Sequence, residues 1–599
     1  MGTSIGENRL YDTLCRVLDS LRAEAPASNA IYNPRPCTPE ALILARSRAL
    51  LHLFLKARFG IVRFAERERF VTDGRFDGGV DAYYIDQKNK FIYILQSKFR
   101  ATAANFVGKK MDPYDLLKMD VSRILKGENC HENGDPYNEK ITKGLQRDIR
   151  KLTDVASYTN QVVLLGNSKH FTNAQLKRLV EGFKVEQFPH DRTYHELLLP
   201  VINGTYFTDP NLTIEINLAN LKRDTHLEYE VKASTLKTNT KLLFVPTREI
   251  GRIMHVYKNT ILKFNPRSFL ELKHNPVNQE IETSIRNTRG NEFALFNNGI
   301  TIVAESTSIS TNTAKQGTAQ IILRNPQLVN GAQTAYTLAR IYEDCVSSKN
   351  FEVFRGKEVL MRVINFLGPV KPQNQDARIR LMGEISKASN SQTKVEESDR
   401  RSNDPVQIRI QTEFFEKYGL YYERKRGEFA DGLHHGYLLP DQLINRERLV
   451  RVSLACSYDV SQLRSGISKF FDEARLASLL KTKDLSKYAY GYEVLQGLDK
   501  KRKSKPRTKG DRYYTSQFGQ ALRYGQYAVV AVCANRGPAK GKKESQALEA
   551  ALKQWTAFEA WAEAQPSNSA YKSGASFDYV GYYKGATIKG DLQKYSFIF

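Results

Sequence analysis

VTDGRFDGGVDAYYIDQKNKFIYILQSKFR, residues 71–100, decides the reading of the first half of the chain. Val80 to Ile85 and Phe91 to Leu95 are short runs rich in aromatic and β-branched residues, and the polar DQKNK between them predicts a reversal. The Gly- and Asp-rich TDGRFDGG before them predicts a turn, in which Asp77 reads as a turn residue; Asp86 falls in the turn that follows. Asp81 opens one strand, and Gln96-Ser97-Lys98 closes the next, fifteen residues later. Side chains alternate along a strand, so Gln96 and Lys98 share a face, and the reversal returns them to the end of the sheet where Asp81 lies. A carboxylate, an amide oxygen and an ammonium then converge. A hard divalent cation takes oxygen ligands, so Asp81 with the Gln96 side chain or a nearby carbonyl is the expected seat for Mg²⁺, with Mn²⁺ as the alternative. Lys98 is expected to contact a phosphate oxygen and orient the attacking water.

Working outward, Thr38 is placed to cap a helix with Pro39 in its first turn, and apolar residues keep helical spacing from Leu42 to Phe54 until Gly60. A strand is predicted over Ile61 to Phe70, a charged helix over Asn138 to Tyr158, and a buried strand in QVVLLGN, 161–167. The order is α-β-β-β-α-β. This order and the Asp81, Gln96, Lys98 pattern resemble the PD-(D/E)xK nuclease superfamily, and within it the Mrr-like branch, in which Gln replaces the usual acid before the Lys. The resemblance implies a restriction-endonuclease-like core over 36–173, with those three residues at the motif positions. It also implies a Glu on the first helix that completes the metal site, for which Glu40 is the nearest candidate. Gln96 removes one negative charge from the metal shell, so affinity should fall unless Glu40 restores it.

Residues 1–35 read as a helix and a Pro-rich connector, 174–235 as a connecting layer without assignable chemistry, and 236–490 as a long α+β region. The fold class is therefore α/β and α+β in series. Leu242 to Pro246, FALFNNGITIVAES and QIILRNPQLVNGAQTAYTLARIYED carry the clearest strand and helix signals of the long region. Asn297-Asn298-Gly299 and Asn330-Gly331-Ala332-Gln333-Thr334 adjoin apolar runs, where amides and mobile backbone either bind ligands or build tight turns. With SKASNSQTKVEESDRRSNDPVQ and YYERKRGEF downstream, these strings resemble the abortive infection phage resistance (AIPR) family over about 240–445. The resemblance implies bacterial defence against phage, with an Mrr-like nuclease as a familiar companion. Asn297, Asn298, Asn330, Gln333, Asn390, Gln392, Arg424 and Arg426 form the expected polar site of this region.

Ninety Lys and Arg against 65 Asp and Glu give a net charge of +25, a field that favours polyanionic partners. The composition is that of a folded chain, with 41% apolar and 26% charged residues. No apolar run is long enough to cross a membrane, and MGTSIGENRL lacks the apolar core of a secretory signal, so a soluble cytoplasmic protein with no membrane partner is expected. The six Cys are scattered without metal-ligand spacing, and no phosphate-binding Gly-rich string precedes a Lys and Ser or Thr. In the region 491–599, GLDKKRKSKPRTKG reads as an exposed basic loop, with Lys500, Lys501, Arg502, Lys503, Lys505 and Arg507 as nucleic-acid contacts. Arg512, Tyr513, Tyr514, Arg523 and Tyr524 follow closely, and the terminal SFIF is expected to dock on an apolar surface.

The expected function is a Mg²⁺-dependent endonuclease in anti-phage defence, acting on DNA ahead of RNA. Two rivals stay open: a catalytically inactive nucleic-acid-binding defence protein, and a nucleotide-responsive sensor with a nuclease effector. A homo-oligomer and a phage-derived trigger are also left open.

Overall fold

A computed structural model describes residues 3–207, 209–222, 226–233, 236–265, 276–287, 290–368, 372–389, 397–464, 466–504, 510–574 and 576–599. The chain divides into two compact units: residues 1–393 with 426–438, and residues 394–425 with 439–599. The expected 236–490 region is thus shared between both.

The first unit opens with helix α1 (Ile5–Ala23), capped by Ser4 with Glu7 returning to the Ser4 backbone. Helix α2 (Pro39–Phe59) begins as its sequence predicts: the Thr38 hydroxyl accepts from Ala41 N–H at 3.2 Å, and Gly60 ends the helix at φ 67°. The interior of α2 is buried from Leu50 to Leu55.

Beside it lies a four-stranded sheet of β1 (Ala82–Asp86), β2 (Phe91–Ser97), β3 (Thr159–Leu165) and β4 (Lys184–Phe188), in that spatial order. β1 and β2 form the expected antiparallel hairpin, while β2, β3 and β4 run parallel. Both faces are covered, which is why β2 is apolar from Phe91 to Leu95 and β3 from Val162 to Leu165. Phe59 of α2 stacks on Tyr84 with centroids 3.9 Å apart, and Phe54 meets Phe188 at 5.2 Å. On the opposite face Ile92, Ile94, Val162 and Leu164 pack with Ile141 and Leu145.

Three sequence expectations are corrected here. Ile61 to Phe70 is not a strand: Phe64–Glu68 is a short helix, α3, and only Val71 bridges to Ala82. Arg67 explains the difference, because its guanidinium is fully buried and ion-paired with Glu24 while donating to the carbonyls of Ile61 and Val62. That tertiary saturation outweighs the local strand pattern. The Asn138 to Tyr158 helix is shorter, running from Lys140 to Arg150, and Asp154 and Ser157 form a side-chain-bonded turn instead. The sheet also continues past residue 173, since β4 lies in the stretch read as a connecting layer.

The rest of the first unit is built on two further sheets. One pairs β5 (Asn211–Asn217), β10 (Thr318–Arg324) and β9 (Ser306–Ser310). The other orders β11 (Gln327–Asn330), β8 (Ile300–Ala304), β12 (Glu358–Phe366), β7 (Leu236–Pro246) and β6 (Leu227–Ala233), with β6 at its edge. Ile214, Ile321, Ile302 and Met361 share one core with the helices Thr247–Tyr257 and Ala332–Ser348.

The second unit is mainly helical, with Arg446–Cys456, Leu485–Lys503, Gln526–Arg536 and Glu544–Lys553 packed around Val450, Leu495, Val530 and Trp555. Its terminal Phe597 stacks on Trp555 at 5.6 Å, so the apolar terminus docks within its own unit. The predicted basic loop is instead helical through Lys503; 505–509 lie outside the described residues. A cationic final turn suits a helix C-terminus. Among the described residues no helix is long and apolar enough to cross a membrane.

Gly299, before β8, has φ 84°, and a Cβ there would sit 2.7 Å from the Leu360 carbonyl oxygen. Gly299→Ala should therefore lower the melting temperature of the first unit by about 2 °C, a cost of about 2 kcal/mol, read by thermal unfolding.

Candidate functional site

The β1–β2 register pairs Ala82 with Leu95, and continuing it by one residue sets Asp81 across from Gln96. Asp81 N–H donates to Leu95 O at 2.9 Å, and its Oδ2 accepts from Ser97 N–H at 2.6 Å. The preceding loop folds back onto this position. Thr72 and Asp73 N–H both donate to Asp81 O at 2.9 Å. Asp77 Oδ2 accepts from Gly74 N–H at 3.0 Å and Oδ1 from Gly79 N–H at 2.9 Å, and Gly78 and Gly79 take φ of 66° and 70°. A side chain at Gly79 would meet Lys118 O at 3.0 Å, so this turn needs glycine.

The turn brings ligand oxygens of Asp73, Asp77 and Asp81 within 4.8 Å of one another. Asp77 therefore builds the turn and also belongs to the cluster. Gln96 is 4% exposed; its Nε2 donates to Asp115 O at 2.9 Å, and its Oε1 is buried with no partner. Lys98 Nζ lies 3.3 Å from Asp115 Oδ1. One residue of the short helix Pro113–Leu117 thus anchors both side chains, leaving the Gln96 oxygen for another donor or a cation. Arg48 of α2 closes the other side, with Nε 2.7 Å from Asp73 Oδ2.

Glu40 is exposed in the first turn of α2 and is not in the carboxylate cluster. It lies eight residues before Arg48, roughly 12 Å along the helix axis. Helix α2 thus sends a cation to the cluster, and Asp73 and Asp77 add negative charge beside Asp81.

Burial pushes the Asp81 carboxyl well above the usual carboxylate range, and the charges of Asp73 and Asp77 add to this; Ser97 N–H and Lys98 oppose it. Burial also raises Asp77, against the N–H groups of Gly74 and Gly79. Crowded carboxylates beside an unsatisfied amide oxygen are a donor set suited to Mg²⁺ or Mn²⁺, whose charge would offset their mutual repulsion. Asp81, Gln96, Asp73 and Asp77 are the residues that would hold such an ion.

Asp73, Asp115 and Arg48 were not singled out by sequence reasoning. Asp73 carried a readable signal, since Asp73, Asp77 and Asp81 recur every four residues through a Gly-rich turn. Asp115 and Arg48 carried none, because tertiary packing alone places them.

The Asn-Gly strings meet at the β8 and β11 ends, where Asn330 pairs with Thr301. Asn297 Nδ2 donates to Thr334 Oγ1 at 3.0 Å and its Oδ1 accepts from Gly299 N–H at 3.0 Å, while Asn330 Oδ1 accepts from Gly331 N–H at 2.8 Å. These two amides are engaged in building the turns. Asn298 is exposed, and Gln333 Nε2 is buried without a partner. Arg424 belongs to the second unit, bonded to Gln411, Asn403 and Ser402, whereas Arg426 opens the 426–438 segment of the first. Asn390 and Gln392 lie outside the described residues.

Sequence reasoning also missed a buried ion cluster that fastens the 426–438 segment. Asp431 is 2.6 Å from Lys258 and 3.0 Å from Arg340, which also holds Glu343 at 2.8 Å. Against the upward push of burial, Lys258 and Arg340 keep the Asp431 carboxyl at about 2.

In the second unit Lys500, Lys501 and Arg502 pair with Asp441, Glu549 and Asp499 at 3.3, 2.9 and 3.8 Å. Lys503 completes the helix; Lys505 and Arg507 lie outside the described residues. Nearby, Arg502, Arg512 and Arg523 surround the Tyr513 ring at 6.0, 5.7 and 5.8 Å.

The architecture is that of a multidomain α+β protein with a carboxylate-lined sheet end. Residues 262–486 match the family model described as AIPR protein. No curated protein and no solved structure matches the chain.

A raised carboxyl pKa means the folded state holds its proton more tightly than the unfolded chain, so Asp81 costs stability as pH rises above the ordinary carboxylate range. Without divalent metal, Asp81→Asn should melt higher than the native protein at pH 8, with the gap closing toward pH 4 in thermal unfolding.

Proposed function

We propose that the protein is a metal-dependent nuclease that hydrolyses phosphodiester bonds of nucleic acid, DNA ahead of RNA, in defence against phage. One observation carries this reading: three clustered carboxylates share a sheet end with the partnerless Gln96 oxygen and the Lys98 ammonium. The AIPR match supports a role in abortive infection, and the net charge of +25 supports a polyanionic substrate.

A bound divalent ion would supply Lewis-acid polarisation of the phosphoryl oxygen and a more acidic water. The chain's own residues do the rest. Asp81, Asp73 and Asp77 provide anionic ligands, and Asp115 orients the Gln96 amide so that its oxygen stays unengaged. Lys98 exchanges Asp115 for a non-bridging phosphate oxygen, stabilising charge that builds as water adds to phosphorus and the P–O bond to the leaving oxygen breaks. Arg48 holds Asp73 in place while substrate enters.

Asp81→Ala and Lys98→Ala should each lower Mg²⁺-dependent cleavage by about 100-fold or more, and Asp73→Asn should raise the Mg²⁺ concentration needed for half-maximal rate. Plasmid, linear DNA and RNA incubated with Mg²⁺, Mn²⁺ or EDTA provide the assay. Cleavage left intact in both the Asp81 and Lys98 variants contradicts the assignment.

The second unit is the proposed grip on the nucleic-acid backbone, with Tyr513 as a stacking platform among three guanidiniums. Replacing Arg502, Arg512 and Arg523 with Gln should flatten the salt dependence of DNA binding by about two to three in logarithmic slope, measured by fluorescence anisotropy.

A further inference from the structure

Strand β6 is the outer edge of the five-stranded sheet, so alternate residues direct backbone N–H and C=O groups away from β7. It also carries three exposed apolar side chains on one face, Leu227, Tyr229 and Val231, at 58%, 65% and 38% exposure. Natural edge strands are usually short, charged or covered, and an uncovered apolar edge is a template for another strand. On the other face Glu228 is 2.7 Å from Lys241 of β7. Glu230 and Lys232 are exposed and make no ion pair among the described residues.

We propose that β6 pairs antiparallel with β6 of a second copy of this chain, joining two five-stranded sheets into one of ten. Charge selects the occupant and the register. A two-fold axis perpendicular to the sheet keeps each face in common, so the strands can be centred only on a residue. Centring on Tyr229 sets Glu228 against Glu230 twice, and centring on Glu230 sets that residue against itself. Centring on Val231 sets Glu230 against Lys232 twice, Val231 against Val231, and Tyr229 against position 233. Centring on Glu230 also sets Glu228 against Lys232, so only the Val231 register of the three pairs acid with base while opposing no like charges; the exposed apolar side chains of both copies merge on one face in it.

Sedimentation equilibrium of the full chain tests this. The native protein should dimerise reversibly. Glu230→Lys and Lys232→Glu should each weaken the dimer about tenfold or more, and the double reversal should recover it, since it restores both pairs with signs exchanged. A native protein that stays monomeric at every concentration overturns the proposal. So do single reversals without effect, or a double reversal that fails to recover association. Circular dichroism verifies that each variant is folded. A second measurement reads the register directly: Val231→Cys should form a disulfide between position 231 of the two copies, located by peptide mass spectrometry. Tyr229→Cys should form none with itself, because that pair is four residues, roughly 14 Å, out of register. The opposite pattern contradicts the register.

Discussion

Backbone hydrogen bonds that force carboxylates together are the constraint on which the rest of the site depends. The Asp81 carbonyl takes two N–H donors from Thr72 and Asp73, and the Asp77 carboxylate takes two from Gly74 and Gly79. These bonds wrap the loop over the strand end, and close approach of like charges follows. Such proximity is unfavourable in a metal-free protein, and burial of Asp81 makes it more so. Folded proteins keep such arrangements where surrounding structure over-determines them and chemistry uses them. Here the over-determination is visible in a glycine pair at positive φ, a hairpin register and an arginine from α2.

The site departs from the expectation set by its sequence in a chemically consistent way. Gln96 leaves the strand position one charge short, and the helix that was expected to restore it with Glu40 presents Arg48 instead. Two further acids enter from the loop, one of them partly neutralised by that arginine. Asp115 holds Gln96 by its carbonyl and Lys98 by its carboxylate, so a change in the Pro113–Leu117 helix would disturb two groups at once.

How much of this was legible in the sequence varies with the range of the interaction. The β1–β2 hairpin, the Thr38 cap and the Gly60 stop were readable because they rest on local rules of alternation, capping and left-handed glycine. Strand period and one reversal placed Asp81 across from Gln96, two residues before Lys98. Arg67 defeated the strand reading of 61–70 because its partners, Glu24 and two carbonyls, include one 43 residues away. The same limit hid Asp115 and Arg48. In the central region the Asn-Gly strings left ligand binding and tight turns open, and Asn297 and Asn330 engage their amides within turns at positive-φ glycines. The clustered Lys and Arg near residue 500 read as a loop because their charge outweighed the apolar spacing of Tyr488, Tyr492, Leu495 and Leu498, which carries the helix through Lys503.

The central claim is that these carboxylates and the Gln96 oxygen form one divalent-cation seat. Anomalous diffraction from a crystal grown with Mn²⁺ tests it most directly. The account predicts a manganese peak at coordination distance from Asp81 and the Gln96 Oε1, with Asp73 or Asp77 completing the protein ligands. A peak elsewhere in the chain, or none at this sheet end at Mn²⁺ concentrations that support cleavage, would contradict it.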